Sequence, residues 1–132
     1  MQSLDKIQID QQYTKQCEPY YIQILVEMLL LLEKSLALSK KSGGAFDLTV
    51  GPLVGVWKKA RREKKLPSKS TIEETLTRVG WDKIQLDRKQ GAVRLVATGM
   101  KLDFGGIAKG YAADEALKSI RRAGMSRALV AA

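Results

Sequence analysis

A stretch near the end of the chain, from Lys101 to Asp114, brings an acid, two glycines and a lysine close together. Residues 100 to 103 alternate between apolar and polar side chains. This is the period of a strand, and it predicts Asp103 at a strand end. A carboxylate in that position could hold a metal ion, a hydroxyl group or a base amine.

Two glycines, Gly105 and Gly106, follow, and a helix is predicted to begin near Ile107. Glycine allows the backbone to turn sharply and to approach a ligand without a Cβ in the way. The unpaired N–H groups and the positive dipole end of the helix would then face the turn and attract an anion. Lys109, one turn into the helix, could place an ammonium group over the same anion. Together these residues outline a nucleotide-type site.

A second interpretation of the same stretch stays open. Strand–Gly-Gly–helix turns also occur wherever a helix packs closely on a sheet, with no ligand involved. The pattern differs from the spaced-glycine dinucleotide fingerprint, and the sequence has no Gly-Lys-Ser/Thr phosphate loop.

Composition limits the chemistry that the chain can carry out. Its 132 residues, 45% hydrophobic and 28% charged, suit one globular domain. A single cysteine, Cys17, excludes an internal disulfide and a multi-thiolate metal site. Histidine is absent, which excludes imidazole acid–base catalysis and histidine-ligated zinc. Any metal ion would therefore be a hard, oxygen-ligated one such as magnesium.

The net charge of +9 favours anionic partners, including nucleic acid, anionic membrane surfaces and phosphorylated ligands. Much of this charge falls in a basic segment running from Lys58 to Lys69. It is interpreted either as a solvated helix face with a basic loop or as a nucleic-acid patch. No aromatic residues interleave with the basic ones to stack on bases, which argues against nucleic acid.

The apolar pattern predicts the order of the secondary-structure elements. Residues 1–18 are polar and expected to be poorly ordered, and 19–132 form the folded domain. A helix is expected from Tyr20 to Lys41, with an inward stripe and an end at Gly43-Gly44. A second helix opens at Gly51-Pro52, and a third follows Ser70 as N-cap with Glu73 in capping-box spacing. The inward stripe of the first helix is predicted to comprise Ile22, Leu25, Val26, Leu29, Leu32 and Leu36, widened by Leu30 and Leu31.

Period-two alternation then predicts a hairpin, with Ile84 and Leu86 on one strand and Val93 and Leu95 on the other. The helix after Gly106 is expected to run to about Ala123, and a short strand is predicted over 127–130. The fold class is therefore α/β (α+β), with antiparallel strands and packed helices. Because the chain stops directly after this last apolar strand, we expect it to be part of a longer domain. We also expect self-association through the broad apolar stripe of the first helix and through the last strand, which lacks neighbours.

Two further observations belong together. One stretch is Ser42–Val54, which reads Ser-Gly-Gly-Ala-Phe-Asp-Leu-Thr-Val-Gly-Pro-Leu-Val, and the other is Leu102–Asp114. In this order the two stretches resemble the central motifs of the ApbE-type flavin transferases, the FAD:protein FMN transferases. Val79–Trp81 and Arg122–Gly124 also match, so the resemblance runs from about Glu18 to Val130. It implies part of a T-fold-like flavin transferase domain.

The resemblance implies transfer of FMN from FAD to a Thr or Ser hydroxyl of a target flavoprotein, with Mg²⁺ bound to the pyrophosphate. It implies a FAD site lined by Ala45, Phe46 and Asp47, nucleotide contacts from Asp103 and Lys109, and a magnesium ligand from the main-chain carbonyl of Gly106. It assigns no catalytic side chain within this chain.

The same resemblance leads us to expect that the chain is inactive alone, since the family's remaining magnesium ligands have no match here. Two alternatives stay open: a non-catalytic FAD- or nucleotide-binding remnant, and a basic nucleic-acid-binding module. The identity of the target flavoprotein and the localisation are left open by the sequence.

Overall fold

The computed structural model describes residues 22–24 and 26–131. Packing divides them into two units, of which the first extends to Asp103 and the second begins at Phe104. The first unit contains the sheet, three α-helices and a short 3₁₀ helix, Trp81–Lys83, whereas the described part of the second contains one α-helix. The predicted poorly ordered segment, 1–18, lies outside the described residues.

The sheet of the first unit has three short antiparallel strands in the order β1–β3–β2. Their bounds are Ile22–Gln23 for β1, Ile84–Asp87 for β2 and Ala92–Leu95 for β3. The predicted hairpin is confirmed: Leu86 lies opposite Val93 in the β2–β3 register. The Asp87 carboxylate closes its turn by accepting hydrogen bonds from the N–H groups of Lys89 and Gln90, both at 3.0 Å.

Four helices accompany the sheet, and α2 and α3 contact each other. Their bounds are Val26–Lys41 for α1, Gly51–Glu63 for α2, Lys69–Leu76 for α3 and Ala108–Arg122 for α4. The predictions that α1 ends before Gly43-Gly44, that α2 opens at Gly51-Pro52 and that α4 ends near Ala123 are confirmed. On α4, the Glu115 hydrogen bond and charge raise the pKa of the exposed Lys118.

The first helix begins later than predicted, and the predicted stripe is buried only in part; Leu25 lies outside the described residues. Ile22 and Gln23 form β1 rather than the start of the helix, because the edge of β3 offers them hydrogen-bonding partners. Val26 is exposed, whereas Ser35 and Ser39 are buried together with Leu31 and Leu32. The Ser35 hydroxyl donates to the Leu31 carbonyl at 2.8 Å, and the Ser39 hydroxyl to that of Ser35 at 3.0 Å. These bonds satisfy the buried hydroxyls, so two polar residues lie on the inward face.

The N-cap of α3 is Ser68, so the prediction of Ser70 was wrong. Ser68 is extended, with φ −68° and ψ 155°, and its hydroxyl accepts the N–H of Thr71 at 3.1 Å. Pro67 precedes it, and proline is disfavoured within a helix, so the helix begins only after Ser68. Glu73 instead lies 3.7 Å from Lys69 in an i,i+4 ion pair.

Two predicted strands do not form. Residues 100–103 make one isolated parallel bridge, Val50 with Lys101, rather than a strand. Residues 127–130 are irregular. A strand needs an edge to pair with, and residues 127–130 belong to the second unit, where α4 is the one regular element among the described residues.

Helices combined with an antiparallel sheet confirm the predicted fold class. The largest buried apolar side chains of the first unit come from α1, the sheet and two loops: Leu32, Leu48, Val93 and Met100. Within the described residues, the structure has no helix that is both long and apolar enough to span a membrane.

The backbone approaches most closely where α2 begins. A Cβ placed on Gly51 would lie 2.6 Å from the Lys101 carbonyl oxygen and 2.8 Å from the Lys101 Cβ. Backbone atoms cannot yield as the end of a flexible side chain can, so position 51 has no room for a side chain. The bridge between Val50 and Lys101 depends on this glycine.

We expect Gly51→Ala to destabilise the protein by about 2 kcal/mol or more, because the new methyl group would force the two backbones apart. The free energy of unfolding, measured by urea denaturation, would show this as a lower midpoint at an unchanged slope.

The matched control is Gly55→Ala in the same helix, where a Cβ would meet nothing within 4 Å. Alanine has the higher helix propensity, so this change should stabilise the protein by about 0.5–1 kcal/mol. Equal effects of the two substitutions would contradict the close approach at Gly51.

Candidate functional site

The turn that carries Ala45, Phe46 and Asp47 is attached to the end of α1 by a serine. The Ser42 hydroxyl donates to the Ser39 carbonyl at 3.2 Å and accepts the N–H of Phe46 at 3.0 Å. Because Ser39 is buried in α1, the turn is held against a rigid element at its first residues. Ala45 is exposed, while Phe46 and Asp47 are half-buried.

The Asp47 carboxylate is the centre of a hydrogen-bond network. Its Oδ1 accepts the Thr49 N–H at 2.7 Å and the Thr49 hydroxyl at 2.6 Å. Its Oδ2 accepts the N–H of Trp81 at 3.0 Å, from a residue 34 positions away. A carboxylate with three donors is well satisfied, so Asp47 shapes this turn whatever else it contacts.

Thr49 extends the network to the loop before β2. It is fully buried, and its Oγ1 accepts the N–H of Gly80 at 2.7 Å while donating to Asp47. Gly80 has φ +149° and ψ 110°, a conformation that residues with side chains rarely adopt. Gly80 and Trp81 therefore donate successive N–H groups to Thr49 and Asp47. These hydrogen bonds join two loops that are far apart in sequence.

Trp81 also lies beside Gly44, the second of the two glycines after α1. A Cβ on Gly44 would be 3.4 Å from the indole Nε1 of Trp81. The indole ring, half-buried, thus borders the turn that leads into Ala45.

The backbone joins this first motif to Asp103. The Asp103 N–H donates to the Leu48 carbonyl at 2.7 Å, and the Val50–Lys101 bridge lies beside it. Leu48 and Met100, one from each stretch, are both fully buried. Asp103 itself is half-buried, and this bond places its backbone beside Leu48 although more than fifty residues separate the two in sequence.

Gly106 and Lys109 belong to the second unit, at the beginning of α4. The N–H groups of Ile107 and Ala108 donate to the Phe104 carbonyl at 2.9 and 2.8 Å, which forms the turn at Gly105-Gly106. Both glycines are exposed, and no side chain caps α4 at its N-cap Ile107. Lys109 is exposed in the first turn, which contains no acidic residue. This helix end therefore combines a positive dipole with a lysine charge.

The electrostatics of this helix end suit an anion such as a phosphate or pyrophosphate group. A metal site is a different matter. Within 22–24 and 26–131, no three His, Cys, Asp or Glu side chains come together in a way that could hold an ion. The described side chains do not by themselves form a complete magnesium site.

Sequence reasoning identified the two motifs but missed the roles of Thr49, Gly80 and Trp81. A local signal for Thr49 was present, since Asp-x-Thr is the spacing of an Asx turn. The N–H groups of residues 80 and 81 carried no such signal, because their partners lie 31 and 34 residues away.

Thr49→Val removes the hydroxyl while keeping the shape of the side chain. It would leave the Gly80 N–H without its acceptor, so we expect a loss of about 2–3 kcal/mol in the free energy of unfolding. Thr49→Ser is the control: it keeps the hydroxyl and loses one buried methyl group, at a cost of about 1 kcal/mol. Chemical denaturation of both variants measures the difference. A Thr49→Val protein as stable as Thr49→Ser would contradict the network.

Comparison with known proteins places these motifs in a family. The model of the ApbE family matches residues 5–132, so the match starts further towards the N-terminus than the motifs alone indicated. An FAD:protein FMN transferase of Treponema pallidum is 35% identical over 105 residues, covering 76% of this chain and 29% of that protein. One from Klebsiella pneumoniae is 33% identical over 100 residues, covering 76% and 32%.

Solved structures agree with this match. The ApbE protein of Thermotoga maritima has a TM-score of 0.67 at 37% identity and covers 75% of this chain and 32% of its own. The flavin transferase ApbE of Vibrio cholerae, at 18% identity, shows the same fold with a TM-score of 0.71. The chain thus spans about a third of the length of these relatives. The resemblance carried by the two motifs is confirmed, and the chain belongs to the ApbE family.

Proposed function

We propose that this chain is the central, flavin-binding part of a protein that transfers FMN from FAD to a target flavoprotein. The relatives it matches are named FAD:protein FMN transferases. The observation that carries the proposal is the junction of the two motifs, made by the 2.7 Å bond between Leu48 and Asp103 and the bridge at Val50. Because the backbone fixes this junction, two acidic motif residues are held in a defined arrangement before any ligand binds.

Each predicted site residue has a role in this proposal. Ala45 and Phe46 would line the flavin, on a turn anchored through Ser42. Asp47 would hold that turn in shape, since its carboxylate accepts three hydrogen bonds from the protein. Asp103 would contact the nucleotide, and Lys109 would balance the pyrophosphate charge at the beginning of α4.

The proposal assigns to this chain only part of a magnesium site. Mg²⁺ commonly binds through one or two carboxylates together with substrate phosphates and water. The Gly106 carbonyl would be one ligand, but the described residues contain no acidic cluster to complete the site. We therefore propose that this chain binds Mg²⁺ through the pyrophosphate of bound FAD rather than in its absence, and we assign no catalytic step to it.

Two further parts of the proposal concern partners. The acceptor would be a Thr or Ser hydroxyl of the target flavoprotein, as the family resemblance implies. The chain would also self-associate through α1, where Val26, Leu30 and Leu38 are 68%, 45% and 41% exposed. Sedimentation at several protein concentrations measures this, and a monomer at every concentration would contradict it.

The test of the function uses the 132-residue chain with FAD, Mg²⁺ and a peptide that contains an acceptor threonine. We expect saturable FAD binding, seen as a change in flavin fluorescence, without covalent labelling of the peptide. Transfer needs electrostatic stabilisation of the phosphoryl group, and these residues supply only part of it. Absence of saturable binding would contradict the flavin function, and a fluorescent, labelled peptide in a denaturing gel would contradict inactivity of the chain alone.

Lys109→Ala should weaken FAD binding roughly tenfold or more, because a charge-assisted hydrogen bond is worth about 1.5–3 kcal/mol. Gly106→Val should weaken it further, since a branched side chain blocks approach of the backbone to the ligand. Fluorescence titration of FAD into each variant gives the dissociation constants.

The control for charge alone is Lys64→Ala, which removes an exposed lysine at the end of α2. Screening by salt should leave FAD binding nearly unchanged in this variant. Equal losses from Lys64→Ala and Lys109→Ala would mean that net charge alone attracts the ligand, and the Lys109 assignment would be wrong.

A further inference from the structure

The basic segment, Lys58–Lys69, forms the last part of α2, the following turn and the first residue of α3. It contains seven Lys or Arg residues and a single acid, Glu63. All seven basic residues are exposed. They are Lys58, Lys59, Arg61, Arg62, Lys64, Lys65 and Lys69.

Most of this charge has no counterion among the residues that the structure describes. Arg62 lies 3.9 Å from Glu63, and Lys69 lies 3.7 Å from Glu73, both in widely exposed pairs. Exposed pairs of this kind contribute little to stability. For the other five basic residues, the described part of the chain provides no ion pair. Their charge is therefore available to an external anionic partner.

One of these lysines occupies a position that suits glycine. Lys64 has φ 51° and ψ 34°, and it is the only non-glycine residue with positive φ in the described ranges. Its N–H group approaches the Arg61 carbonyl at 3.4 Å, and the Lys65 N–H donates to the Ala60 carbonyl at 3.1 Å, which closes the end of α2. Glycine would adopt this conformation without a steric penalty. A lysine at this position is consistent with a requirement for its charge.

Two large apolar side chains are exposed beside or within the basic segment. Trp57, on α2, is 47% exposed, and Leu66, after its end, is 79% exposed. Trp57, Arg61 and Lys64 follow one another at i, i+4 and i+7 spacing, so they share one side of the helix. An apolar ring is thereby placed beside positive charges.

We propose that the basic segment, together with Trp57 and Leu66, is a docking surface for an anionic lipid bilayer. Basic residues attract acidic headgroups, and tryptophan and leucine enter the boundary between headgroups and acyl chains. Single-stranded nucleic acid would use the tryptophan for stacking but has no comparable use for Leu66. The surface lies entirely on α2, the turn and α3, so the proposal does not depend on flavin binding.

The test mixes the full chain with vesicles of phosphatidylcholine alone and of phosphatidylcholine with phosphatidylglycerol. We expect binding to the second kind only, and weaker binding when salt rises from about 0.1 M to about 0.5 M. The triple variant K58Q/R61Q/K64Q should bind at least tenfold more weakly, since each charge contributes about fivefold. The matched control K40Q/R122Q/R127Q removes the same charge elsewhere and should change binding less than about twofold.

Tryptophan emission reports which part of the surface meets the lipid. Emission should shift to shorter wavelengths on binding to anionic vesicles, and Trp57→Phe should abolish the shift while Trp81 remains. Lys64→Gly should raise the melting temperature yet weaken vesicle binding, which separates the charge from folding.

Three results would overturn the proposal. The first is equal binding to neutral and anionic vesicles, and the second is an equal loss in the two triple variants. The third is binding to a single-stranded oligonucleotide with no binding to anionic vesicles, which would identify the surface as a nucleic-acid site.

Discussion

The conformation of the first motif depends on the hydrogen bonds that one carboxylate, that of Asp47, accepts. Asp47 accepts two hydrogen bonds from Thr49 and one from Trp81, and Thr49 in turn accepts the N–H of Gly80. Each bond with a charged acceptor is stronger than a neutral one, and bonds in a chain polarise one another. Removal of the carboxylate would leave several donors without partners, so the turn and the loop before β2 depend on the same group. The conformation of Ala45 and Phe46 follows from it.

The second constraint is backbone packing at the junction of the two motifs. Gly51 admits the Lys101 carbonyl to within 2.6 Å of where a Cβ would stand, and Leu48 bonds Asp103 beside it. Polar side chains fix the first motif, whereas main-chain atoms fix its attachment to the second. The residues that would contact a ligand are therefore positioned by others, such as Thr49 and Gly51, which fix the backbone around them.

Much of the fold was predictable because its signals are local. The hairpin follows from alternation on either side of a turn, the start of α2 follows from Pro52 and the end of α4 from Gly124. The errors arise where distant residues decide. Ile22 and Gln23 become a strand because β3 offers an edge, and residues 127–130 stay irregular without one. Ser35 and Ser39 are buried although they are polar, because helix carbonyls accept hydrogen bonds from their hydroxyls.

In the candidate site, the motif residues were recognisable by resemblance. The network around Asp47 was not, because it joins residues more than thirty positions apart and follows no periodic pattern in the sequence.

The separation along the chain of the Asp47 contacts has a consequence for the order of folding. The helices and the hairpin close over short stretches, whereas the bonds to Gly80 and Trp81 join residues 31 and 34 positions apart. Contacts of high sequence separation carry the larger loop-closure entropy, so they form after local structure. The first motif should therefore assemble late, after the transition state for folding. Changes to its network would then act chiefly by accelerating unfolding rather than by slowing folding.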